Sequence, residues 1–161
     1  MKTEDLAHWL FENGGPAIRH RMATELLDDA SEVNTARLVA NLLASPMTRL
    51  WLERLGSPDG GLPAFHHSKP QAFENAASKL CDLGLRAGME PLDIRMASFR
   101  QWLDEQAQAI EKIAEVDYTG VDTKEATQSA LDNGLRWFEA MIVAARLAWM
   151  SYADAAIRVC L

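Results

Sequence analysis

The chain has 161 residues, 48% of them hydrophobic and 24% charged, which is enough to bury a sizeable core in one domain and counts against disorder along its whole length. Its net charge of -7, from 23 acidic against 16 basic residues, counts against a general nucleic-acid binder, because neutralising phosphates needs a basic face. Two cysteines far apart, Cys81 and Cys160, with no secretory leader before them, suit a reducing cytoplasm in which both thiols are buried as small apolar residues.

The first helix is predicted over Thr3 to Glu12, where Leu6, Trp9 and Leu10 fall at helical spacing and Glu4 and Asp5 stand in the first turn. Asn13-Gly14-Gly15 ends it, and Pro16 suits the first turn of a second helix with Ile18, Met22 and Leu26 recurring every four residues. A third helix starts at Ser31 or Asn34 and runs through Leu38, Val39, Leu42 and Leu43 to Ala44. Ser45-Pro46 breaks it, since the residue before proline avoids the helical region, and Ser45 is placed to cap a short helix through Leu50, Trp51, Leu52 and Leu55 that Gly56 stops.

Residues 56 to 70 are the one long interruption, holding three of the nine glycines, three of the six prolines and two of the four histidines. Pro58 and Pro63 fix φ and remove donors, so helix does not run through, and a candidate site is sought here first. Ser68 and Pro70 then open a helix burying Phe73, Ala76, Ala77, Leu80 and Leu83, which ends near Gly84 or Gly88. Pro91 begins the longest clean pattern, with Leu92, Met96, Phe99, Leu103, Ile110 and Ile113 stepping by three, four or seven.

A turn is expected around Tyr118-Thr119-Gly120, followed by a capping-box pattern at Asp122 and Glu125. Asn133-Gly134 either ends a short helix or is a weak spot inside a long one. From Leu135 onward, Phe138, Met141, Ile142, Ala145, Ala148, Trp149, Tyr152, Ala156 and Ile157 describe a wide apolar face that reaches the last residues without a stop signal. The expectation is a terminal helix docked on the body, or a chain that is a fragment of something longer. The most apolar run, Trp137 to Met150, is interrupted by Glu139 and Arg146 and is too short for a bilayer, so no membrane insertion is expected.

No strand pattern is present, and the fold class is all-α: one helical domain over 1–161 built of antiparallel helical hairpins, as a bundle or a partial α/α toroid. His66 and His67 with Cys81 and Glu74 or Asp82 supply metal-ligand atoms, but adjacent histidines point apart and the spacing matches no structural zinc pattern. Cys81 lies between Leu80 and Leu83, where burial raises a thiol pKa and leaves it inert as a nucleophile. Asp28-Asp29 reads as a solvated helix end rather than a magnesium-diphosphate motif, and no metal or other cofactor is expected. Tryptophans 9, 51, 102, 137 and 149 with Phe65, Phe73, Phe99 and Phe138 line either an ordinary core or an apolar cavity; helical spacing favours core.

Trp9-Leu-Phe-Glu-Asn-Gly-Gly-Pro-Ala-Ile-Arg-His-Arg-Met-Ala-Thr-Glu-Leu-Leu27, with Leu55-Gly56, the Asp59-Gly60-Gly61 turn and Lys79-Leu-Cys-Asp-Leu-Gly-Leu85, resembles bacterial proteins of the squalene-cyclase and prenyltransferase α/α-toroid group over residues 9 to 88. The resemblance implies helical hairpins with the 56–70 loop at one rim. The chain is far shorter than a closed toroid and lacks the Asp-rich catalytic motif, so cyclase activity is not implied.

The resulting expectation is a non-catalytic helical domain that binds a protein partner or a hydrophobic small molecule between hairpins, with Arg19, His20, Arg21, Phe65, His66 and His67 as the binding residues. Two alternatives stand beside it. One is a toroid-type enzyme acting on an isoprenoid-like substrate with His66 or His67 as general acid or base. The other is a self-associating domain, a homodimer whose final helix pairs with its copy.

Overall fold

A computed structural model describes residues 3–27, 32–56, 61–113 and 123–161. Among them the chain forms eight helices and no strand: α1 (Thr3–Asn13), α2 (Pro16–Glu25), α3 (Glu32–Ala44), α4 (Pro46–Arg54), α5 (Phe73–Asp82), α6 (Glu90–Ile113), α7 (Thr123–Trp149) and α8 (Ala155–Cys160). The fold is all-α, an assembly of helical hairpins. The Asp28-Asp29 pair, Ser31, Asp59-Gly60, the Tyr118-Thr119-Gly120 turn and Asp122 lie outside the described residues.

One apolar core joins α3, through Leu42, to α4 and the helices up to α8. Its centre is aromatic: Phe73 and Phe99 stack with ring centroids 4.3 Å apart, and Phe65 lies 4.2 Å from Trp102 and edge-on to both phenylalanines. Around them Leu92, Met96 and Leu103 of α6 meet Val143 and Leu147 of α7, all fully buried. The rings therefore fill the interior with one another, which is the core reading of these aromatics. The α1–α2 hairpin packs on α3 and reaches the core body through the far end of α5.

Local chemistry sets the helix ends. Ser45 caps α4, its Oγ accepting from the Thr48 N–H at 3.2 Å. α5 ends in a Schellman arrangement: the Gly84 N–H donates to Cys81 O, the Leu85 N–H donates to Leu80 O, and Gly84 takes the left-handed φ of +98°. α5 begins at Phe73, three residues after Pro70, and Ala72 at its N-cap makes no side-chain cap bond. The orphan amides are satisfied from the loop instead, Phe73 N–H donating to Ala64 O and Glu74 N–H to Phe65 O. Ser68 and Pro70 are thus turn residues and not the helix opening.

Three expectations about faces and ends are corrected. In α2 the buried residues are His20 and Ala23, while Ile18 and Leu26 are exposed, because α2 turns its His20 side toward Gly84 at the end of α5. Asn133-Gly134 sits within a continuous α7, and the terminal helix does not run to the end. It stops at Trp149, Ser151 adopts a left-handed φ of 69°, and α8 starts at Ala155 after the Asp154 cap position. In α7 it is Ala140, Val143, Ala144 and Leu147 that pack inward, and the larger residues of the wide apolar face, Phe138, Met141 and Trp149, are turned outward.

Candidate functional site: the outward face of α7 and the pinned loop beside it

The basic trio does not converge. Successive helical residues point about 100° apart, and the three side chains take three different jobs. Arg19 reaches back to the C-terminal end of α1, donating to Glu12 O at 2.8 Å, and lies over a groove of about 410 Å³ that it shares with Phe11, Arg37 and Asn41. Arg21 makes a two-pronged pair with Glu25, at 2.9 and 2.8 Å, and its other nitrogen points at Asp82 O, 3.3 Å away. Its hydrogen bond holds Glu25 below the usual carboxylate range. Arg86 donates to Cys81 O and Leu85 O, so two guanidiniums cover the carbonyl end of α5, the favoured place for positive charge.

His20 is only 5% exposed and cannot meet a ligand from solvent. Its Nδ1 is buried with no hydrogen-bond partner among the described residues. A methyl group on Gly84 would stand 3.0 Å from that nitrogen and 3.1 Å from Arg21 Cγ, so the close approach of α2 to the end of α5 requires glycine there. Burial, and then the charge of Arg86, push the His20 pKa below its ordinary value, which keeps the ring neutral.

The 61–72 segment is pinned to the start of α5. Phe65 is a core side chain, buried against Trp102, Phe73 and Phe99, and does not close over a ligand. Glu74, in the first turn of α5, accepts from His66 Nδ1 at 2.8 Å and from the His67 N–H at 3.2 Å. Asn75 donates to the carbonyls of His67 and Lys69. A carboxylate only accepts, so His66 Nδ1 is the donor in this contact. In His67 the roles reverse, since Nδ1 accepts from the Lys69 N–H at 3.1 Å. Both rings line an open groove of about 450 Å³ with Trp51, Pro70 and Asn75. Among the described residues no three His, Cys, Asp or Glu side chains are placed to hold a metal ion. Cys81 and Cys160 are free and buried, and burial raises both thiols above their ordinary pKa.

The site that residue types alone did not reveal lies on α7. From residue 127 to residue 138 every position except Asn133 is exposed, so this half of the helix stands clear of the core. On one side of it Leu131 is 64% and Leu135 60% exposed, and the same stripe continues through Phe138 and Met141 to Trp149. The pinned loop meets the stripe: the His66 ring lies edge-on to Phe138, centroids 5.4 Å apart. At the other end the Arg146 guanidinium sits 5.2 Å from the centre of the Trp149 ring. The signal was in the sequence, as a heptad of apolar residues, but periodicity does not say whether a face points in or out.

No helix among the described residues is long and apolar enough to cross a membrane. No family model, curated protein or solved structure matches the chain.

Proposed function

We propose that the chain is a helical binding module that takes a helix of a protein partner along the outward face of α7, with no catalysis of its own. The observation that carries this reading is the stripe Leu131, Leu135, Phe138, Met141 and Trp149, large apolar side chains exposed on one side of a helix whose first half leaves the core. The stripe is roughly 27 Å long at 1.5 Å per residue, the length over which helix-to-helix recognition operates. Contiguous exposed apolar surface of this kind marks interaction sites. An apolar small molecule is the less supported occupant, because Phe65, Phe73, Phe99 and Trp102 are spent on one another in the core. From the toroid resemblance only stacked helical hairpins are taken, and no activity.

The reading is tested on the full chain, tagged, in extracts of the cells that make it. Gel filtration is expected to place the wild-type chain well above the size of one copy, and the double variant Leu135→Glu, Phe138→Glu at the size of one copy. Wild-type protein eluting as a single copy would contradict the reading.

One observation favours a second reading: Glu74 orients His66 as a histidine base is oriented in hydrolytic sites, beside an open groove. It predicts that His66→Ala abolishes turnover of an apolar substrate with the helix content unchanged. Binding that survives this substitution intact belongs to the α7 reading.

A further inference from the structure

We propose that the α1–α2 hairpin is an acid-released flap: the neutral ring of His20 seats it on the body, and a proton on that ring unseats it.

Little else holds the hairpin down. Among the described residues α1 buries only Ala7 and α2 only His20 and Ala23, while Leu10, Phe11 and Met22 are half-buried. None of the three buried residues belongs to the apolar core, against which only the half-buried Ala17 of the hairpin packs. His20 is thus the one large side chain that the hairpin buries fully, and two alanine methyl groups remove too little area from water to hold a pair of helices. Unseating α1 and α2 leaves the core intact, since each of its buried residues lies at Leu42 or beyond.

The seat has no place for a charged ring. His20 Nδ1 looks toward Gly84, where a methyl group would already stand 3.0 Å away, and it has no hydrogen-bond partner among the described residues. A protonated imidazole donates from both nitrogens, so the hydrogen on Nδ1 would be buried with nothing to accept it. α2 brings Arg21 and Glu25 to the seat, and the end of α5 with the turn after it brings Cys81, Asp82 and Arg86. Glu25 attracts a positive ring, but Arg21 occupies both of its oxygens, at 2.9 and 2.8 Å, and Arg86 stands 4.0 Å from the same carboxylate. Arg86 repels a second cation, and no charged group described on α1 or α3 acts on the ring. Buried and beside Arg86, the seated ring binds a proton less readily than a free one. The seat is therefore complete above the ordinary histidine value of 6.5 and weakens as pH falls below it.

The test is amide hydrogen exchange of the full chain at pH 7.5 and 5.5, each corrected for the intrinsic exchange rate. The slowest amides of α2 are expected to exchange at least tenfold faster than the slowest of α6, because the hairpin opens without the core. Acid should speed them a further roughly fivefold to tenfold, the limit being about tenfold per pH unit below the ordinary value. His20→Gln, which carries no titrating proton, should lose the acid step. The triple variant His8→Gln, His66→Gln, His67→Gln leaves His20 as the sole histidine of the four and should keep it. A wild type in which α2 and α6 exchange alike at both pH values overturns the inference, as does an acid step that survives in His20→Gln or disappears in the triple variant.

Discussion

The edge of His66 rests on Phe138, ring planes crossed at 78°, so the loop tied down by Glu74 braces the outward face of α7 and not the core. The two features that divide the surface chemistry of this chain, its proline-rich segment and its longest helix, meet at that contact.

Because α7 turns its larger apolar residues outward, truncation should cost stability in the reverse order of side-chain prominence. Leu147→Ala, at a fully buried position, is expected to destabilise by about 2–5 kcal/mol. Leu135→Ala should stay within about 0.5 kcal/mol. Urea unfolding of dilute protein compares the two directly, and equal losses would show that the Leu135 face is packed within the chain.

Acid should act first through His20. Its folded-state pKa is lowered, chiefly by burial, so the unfolded chain takes up the proton before the folded one. Stability is therefore complete above the ordinary histidine value of 6.5 and falls as pH drops below it, levelling once the folded ring also titrates. The lowered carboxylates of Glu25 and Asp154, held by Arg21 and Arg100, act in the same direction only further down, below their ordinary values of 4.5 and 3.8. His20→Leu should flatten the first limb and leave the second, since it also removes the unpartnered Nδ1. An unchanged limb near pH 6 would place the titrating group elsewhere.

Gly84→Ala should destabilise by about 1–2 kcal/mol, from the left-handed φ and the 3.0 Å approach to His20 together. The double variant Gly84→Ala, His20→Ala is expected to recover part of the loss, leaving the backbone component. Thermal melts that show no recovery would mean that the His20 contact is loose.

Glu74→Ala cuts the tie to His66 and to the His67 amide in one step. Amide exchange at residues 64–69 is expected to accelerate at least tenfold while α6 and α7 keep their protection. Phe65 should remain docked, its place fixed by Trp102, Phe73 and Phe99.

Helix identity was legible wherever a local rule decided it. Ser45-Pro46, Gly56 and Gly84 are caps and stops whose chemistry lies within a few residues, and Leu92, Met96, Phe99 and Leu103 face the core as their spacing predicts. Orientation was not legible. A stripe such as Leu131, Leu135, Phe138 has the same period whether it meets a core or a partner, and only the smaller Ala140, Val143 and Ala144 opposite it show which side the body chose. The end of α7 was not legible because Ser151, a non-glycine residue that no local rule marks as a stop, takes the left-handed conformation there; Asp154 beyond it works at a distance, in a bidentate pair with Arg100 at 2.6 Å. Tyr152, expected as one more apolar residue of the terminal helix, donates to Asp93 at 2.6 Å instead. Burial and that hydrogen bond raise its pKa and keep the donor in place. Arg19, His20 and Arg21 looked like a cluster because they are adjacent in sequence, and helical geometry separates them.

The outward face of α7 is proposed as a binding surface, and site-specific photo-cross-linking of the full chain in cells tests that most directly. A photoreactive residue at position 135 should give a discrete protein adduct, and one at the exposed position 105 on α6 should give none. An adduct at twice the mass of the chain identifies a second copy, and one at another mass a different protein. No adduct from position 135, with the chain folded and abundant, would contradict the account.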